Sequence, residues 1–202
     1  MEHLLKAVED AVEHCNWYAA LMVTLTLPDI CANIDGREGT SSARYISWAR
    51  DWIEPAYVRE IPAASPVDFF EKYLALRRRP DTEANRAALK QYEEEAHRKE
   101  KVLFLKAGDL YALRCAYCHE ASHDLEKHKA KEVLERFNIS APSSNNSLVH
   151  LNWGDDSLQL QVDCFCLEIC ACVRCWLADR AENPQVKSNL SRLALISPIT
   201  WI

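Results

Sequence analysis

Residues 163–181, DCFCLEICACVRCWLADRA, are apolar almost all the way round a helix. A helix with no polar face has to be enclosed by other elements. The stretch is therefore expected to be the most buried helix of a helical domain, with its thiols serving as packing. The 202-residue chain contains only four glycines, too few for a sandwich rich in tight turns, which favours the same answer. Nearly half of its residues are hydrophobic, so a core of real size is available. The expected fold is mainly α: a helical bundle with one small antiparallel β-hairpin and an inserted charged helical arm.

Apolar residues at three- and four-residue intervals predict one amphipathic helix over residues 2–25, interrupted by Pro28, with one further short turn in DICANID. DGREGTSS reads as a loop, and Ser42 as the cap of a helix through ARYISWARDWI that stops before Pro55. EPAYVREIPAASP reads as extended or irregular. Ser65 and Pro66 are placed as N-cap and first position of the next helix. After Pro80, DTEANRAALKQYEEEAHRKEKVLFL reads as a highly charged helix projecting into solvent.

Asp109 is expected to cap LYALRCAYCHEA, and HDLEKHKAKEVLERFNI to run from helix into strand. LVHLNW and SLQLQV alternate apolar with polar about a tight turn, a hairpin over 147–162 whose Asp155 and Asp156 are turn residues. The chain then divides into one domain over 1–182, carrying the arm at 60–101, and a short helix with an exposed tail over 183–202 that ends in Trp201.

The first fifteen residues carry acids where a signal peptide needs a basic start, and no membrane segment is read, so a cytoplasmic location is expected. There the nine cysteines are free thiols by default. The net charge of −6 argues against nucleic-acid binding by general phosphate neutralisation. Any RNA role must rest on a local site or on a dimer groove.

The chemistry concentrates in DLYALRCAYCHEASHD, residues 109–124. Cys115, Cys118 and His119 spell C-x-x-C-H, but haem attachment belongs to translocated proteins. The same three residues share a helix face and could begin a zinc site, with His123 or a cysteine from 164–175 as fourth ligand. On a helix, Cys164, Cys172 and Cys175 lie roughly together and Cys166 and Cys170 opposite, so packing is favoured over a metal cluster. Arg114 and His119 form a different set. An imidazole can move the proton of a 2′-hydroxyl, and an arginine supplies a permanent forked charge for the phosphate. Five residues apart on a helix is about 140° round the axis, so either the helix breaks between them or the arginine stem bends.

ALRCAYCHE, set between helices, resembles the R-x4-6-H signature of the HEPN family. DLYALRCAYCHE and LQLQVDCFC are also similar to a group of uncharacterised small bacterial proteins near that family. The resemblance covers residues 1–60 and 100–182. It implies a small helical-bundle domain, often homodimeric, acting as a metal-independent ribonuclease in a toxin, defence or RNA-processing system. The implied site is Arg114 on phosphate and His119 in proton transfer, with Glu120 orienting His119. No cofactor is implied; the implied partners are RNA, a second copy and an antitoxin or other protein. Two other classes stay open: a non-catalytic helical interaction protein and, third, a Cys/His zinc protein.

Overall fold

The computed structural model describes every residue except 63–65, 97, 121, 123, 126–127, 145–146, 154–155 and 195–202, and leaves aside the side chains of 66–70 and 95–96. Ser65, His123, Asp155 and Trp201 thus lie outside the described residues. The protein is mainly helical, with small β-sheets. In chain order the elements are α1 (Glu2–Glu13), α2 (Trp17–Ile34), α3 (Ser41–Trp52), a 3-10 turn (Glu54–Tyr57), β1 (Val58–Pro62), α4 (Pro66–Arg77), α5 (Glu83–Ala96) and β2 (Lys99–Leu103). They continue with α6 (Ala107–Glu120), β3 (Arg136–Ser140), β4 (Asn152–Trp153), β5 (Ser157–Gln161), α7 (Val162–Asp179) and α8 (Pro184–Leu190).

The chain forms two compact units. The smaller, Val58–Leu103, holds α4 and α5 between two strands that pair antiparallel, Val58 opposite Leu103 and Pro62 opposite Lys99. The charged helix read through residue 105 therefore ends at Ala96. Its last apolar residues form β2, because a strand partner from 58–62 takes up their backbone groups.

In the larger unit the first long helix is broken where no proline stands and continuous where one does. Cys15 adopts φ 55°, which ends α1, and the Asn16 side chain accepts from the Ala19 amide at 3.3 Å to start α2. α2 then runs straight through Pro28. An interior proline costs about 3 kcal/mol. Here burial of Leu25, Leu27, Pro28, Cys31, Ala32 and Ile34 offsets that cost. α2 is long and apolar enough to cross a membrane by length and composition, a test that a core helix also passes. In this fold its apolar surface packs against α1, α3, α6, α7 and α8.

α2, not α7, is thus the helix most surrounded by others. α7 buries Phe165, Cys166, Ile169, Cys170, Cys172, Val173 and Trp176, but leaves Leu167, Ala171 and Cys175 exposed along one stripe. Cys172 is buried, as Cys166 and Cys170 are, and it shares the side of Cys175: both line one cavity with Glu168 and Ala171. Trp48 and Trp176 meet edge to face in the core, and the Trp176 indole N–H donates to Asp35 at 3.2 Å. Arg174 ties α7 to α1 through Glu9 at 2.6 Å and Glu2 at 3.0 Å.

Thr40, two residues before the expected Ser42, caps α3 by accepting from the Ala43 amide at 3.2 Å. The hairpin is shorter than its alternation suggests. The Gln161 amide donates to the His150 ring Nδ1 at 3.1 Å in place of a strand carbonyl, and Leu151 turns to φ 58°. Among the described residues only Asn152–Trp153 pairs antiparallel with β5, whose other edge takes β3 in parallel. His150 completes its ring contacts by donating from Nε2 to Glu168 on α7 at 3.0 Å, which pins the sheet to that helix.

Candidate functional site

The site is built on α6. Its N-terminus is held from outside the helix: Glu54 accepts from the Ala107 amide at 2.8 Å, and Glu132 from the Gly108 amide at 3.2 Å. These carboxylates satisfy orphan donors and complement the positive end of the helix. Gly108 is required by contact, since a Cβ there would sit 2.5 Å from the Ala130 carbonyl oxygen.

Asp109 does not cap the helix as expected; it lies within its first turn, buried, and serves another segment. One of its oxygens accepts from the amides of Glu132, Val133 and Leu134 at 2.7, 3.1 and 3.3 Å. Those amides would otherwise need a helical ladder. This capture explains why the expected helix before β3 is replaced there by irregular chain.

Leu110, Ala112, Leu113 and Ala116 form the buried face of α6. Arg114, Cys115, Tyr117 and Cys118 are half-buried, and His119 and Glu120 are exposed at the helix end. α6 does not break between Arg114 and His119. The arginine stem bends instead, bringing Nη1 to 3.2 Å from His119 Nε2. A guanidinium has only donors, so Nε2 accepts and the neutral ring carries its proton on Nδ1.

A third group, not singled out from the sequence, completes the arrangement. Asp29 on α2 takes Arg114 Nη2 at 2.8 Å with one oxygen and the Ser41 hydroxyl at 3.1 Å with the other. Arg114 Nε is buried without a partner among the described residues. Burial pulls the Arg114 pKa down, but Asp29 with the nearby Cys115 and Cys118 more than compensates, and the net direction is upward. Behind the pair, the Tyr45 and Tyr111 rings meet edge to face with centroids 5.1 Å apart. Tyr45 is fully buried and its hydroxyl donates to the Leu25 carbonyl at 3.3 Å; burial, then Asp29, pushes its pKa well up.

Asp29 also lines a cavity of about 600 Å3 with Asn33, Arg44, Asn189 and Arg192. Arg44 donates to the Gly39 carbonyl at 2.9 Å, and neither arginine pairs with a carboxylate among the described residues. Positive charge thus gathers on one side of the Arg114–Asp29 pair in an acidic protein. Glu120 is not brought to His119: no hydrogen bond joins them among the described residues. Burial raises the Cys118 pKa, which works against the thiolate a metal would need. Among the described residues no three His, Cys, Asp or Glu side chains could hold a metal ion, and His123 lies outside those residues.

Fold and site together define a class: a helical bundle presenting an arginine–histidine pair, steadied by a carboxylate, at the exposed end of a buried helix. Comparison of the chain with protein-family models, with curated proteins and with solved structures finds no match.

Proposed function

We propose that this chain binds RNA and cleaves it as a metal-independent endoribonuclease of HEPN-like design, with Arg114 and His119 as catalytic residues. The observation that carries the reading is the 3.2 Å approach of Arg114 Nη1 to His119 Nε2. It puts a permanent phosphate-binding cation beside a base of the right type for a 2′-hydroxyl.

In the resting state both halves of the guanidinium are engaged, one by Asp29 and one by the imidazole. An arriving phosphodiester competes for the guanidinium and draws Nη1 away from Nε2, which frees the ring lone pair. His119 then takes the 2′-hydroxyl proton as that oxygen attacks phosphorus. The bond to the 5′-oxygen breaks, and the leaving oxygen is protonated by the imidazolium or by His119 of a second copy. The products are a 2′,3′-cyclic phosphate and a 5′-hydroxyl. Asp29 acts as a positioning residue that holds the fork in place, and Arg44 and Arg192 supply charge for neighbouring phosphates.

The test is cleavage of a broad RNA panel by full-length protein in EDTA. His119→Ala should lower cleavage about 100-fold or more while RNA affinity is kept. Arg114→Ala should weaken both. A wild type that cuts no RNA, or that cuts only with added metal, overturns the nuclease. The Arg114–Asp29 pair favours one second reading: the arginine is a tie between α2 and α6, and the chain is a non-catalytic interaction protein.

A further inference from the structure

A cavity of about 440 Å3 opens where the start of α2, the end of α6 and β3 meet. It is lined by the aromatic residues Trp17, Tyr18 and Tyr117 and by the β3 residues Phe137, Asn138 and Ser140. Tyr18 is 78% exposed at its rim, an aromatic ring held in water. The Ser140 hydroxyl is buried without a partner among the described residues. β3 is an edge strand: beyond the single bridge of Asp124 to Arg136, no strand pairs with its outer side among the described residues. Flat apolar walls, an unsatisfied hydroxyl and free backbone groups at one edge are what a planar heterocycle with donors and acceptors on its rim requires.

The position of the cavity names the heterocycle. Tyr117 follows Arg114 by three residues, about 4.5 Å along the helix and on the neighbouring strip of its surface. A strand whose phosphate reaches Arg114 therefore has an adjacent base within reach of Tyr117. We propose that this cavity is a nucleobase site, in which a base next to the scissile phosphate stacks on Tyr117 and Tyr18 and is read by Ser140, Asn138 and the β3 edge. The assignment rests on the RNA reading and adds a source of base preference to it. An extended peptide would draw its affinity from main-chain bonds along β3 and would leave the gathering of Trp17, Tyr18 and Tyr117 unexplained.

The experiment measures binding of fluorescent 2′-O-methyl RNA heptamers, which lack the nucleophile, to full-length His119→Ala protein. A matched set carries one abasic position. Tyr117→Leu and Tyr18→Ala should each weaken binding of intact RNA about tenfold. Neither should alter binding of the oligomer whose abasic position falls at the site. Tyr18 is exposed, so its variant folds even if Tyr117→Leu does not. Wild-type affinity in a folded Tyr18→Ala protein overturns the base site while leaving RNA binding intact. Loss of RNA binding in the tyrosine variants of a protein that cuts no RNA keeps the base site and removes the nuclease. A Val/Thr-rich hexapeptide that binds, and is lost on Asn138→Pro while both tyrosine variants bind RNA normally, assigns the edge to peptide addition and overturns the proposal.

Discussion

Asp29 on α2 and Arg114 on α6 form a 2.8 Å ion pair with both side chains about one-fifth exposed, and the same guanidinium contacts His119. The pair joins two core helices and fixes where the arginine fork points. Asp29→Ala should destabilise the fold by about 1–2 kcal/mol, between the worth of exposed and fully buried pairs. The freed guanidinium should bind RNA more tightly yet support slower turnover, because it loses its orientation. Denaturant unfolding with single-turnover kinetics reads both; an unchanged rate constant would mean that Asp29 does not position Arg114.

Asp109 is the anchor of the segment that leads into β3. Asp109→Ala leaves three inward amides without their acceptor and should cost about 3 kcal/mol. Chemical denaturation measures it, and a loss below 1 kcal/mol would show that water or another group replaces the carboxylate.

Thiol reactivity should separate the nine cysteines by burial. Cys15 and Cys175 are exposed, whereas Cys31, Cys166, Cys170 and Cys172 are buried. Iodoacetamide on native protein, followed by peptide mass analysis, should label the first two rapidly and spare the last four until unfolding. Fast labelling of Cys166 or Cys170 would contradict their place in the core.

Burial pushes the Cys166 and Cys172 thiols up to about 11 and the Cys170 thiol up to about 12, from an ordinary 9.0. Each folded-state value lies above the unfolded one, so the folded chain holds protons that the unfolded chain releases. That contribution is complete below pH 9 and is lost as pH rises towards 11–12. Unfolding free energy should therefore fall between pH 8.5 and 10.5, in increments of about 1.4 kcal/mol per group and pH unit at most. Cys170→Ala should flatten the slope, and an unchanged slope would assign the effect elsewhere.

The unit Val58–Leu103 leaves and rejoins the rest of the chain at one point, where the Phe104 amide donates to the Tyr57 carbonyl at 3.0 Å. A protein with residues 58–103 replaced by a short Gly-Ser link should unfold cooperatively, with the core of the larger unit intact. Loss of a cooperative transition in calorimetry would show that the smaller unit is needed for folding.

Apolar periodicity and turn residues identify the helical character of the chain, the position of α6, the short helix within 183–202 and the pairing of β4 with β5. These are local properties, set within a turn of helix or across a tight turn. Arg114 and His119 belong with them: five residues apart on one helix, they lie within reach of each other once the stem bends. Where local signals compete with packing, the reading fails. Pro28 continues a helix because its neighbours are buried, Cys15 breaks one with no proline or glycine, and Asp109 serves amides far along the chain instead of its own helix. Asp29, Arg44 and Arg192 carry no mark in their own neighbourhoods, and neither does the parallel pairing of β3 with β5. Each becomes part of the site or sheet only when distant segments are packed together, because a side chain's partner across the core is chosen by the path of the whole chain.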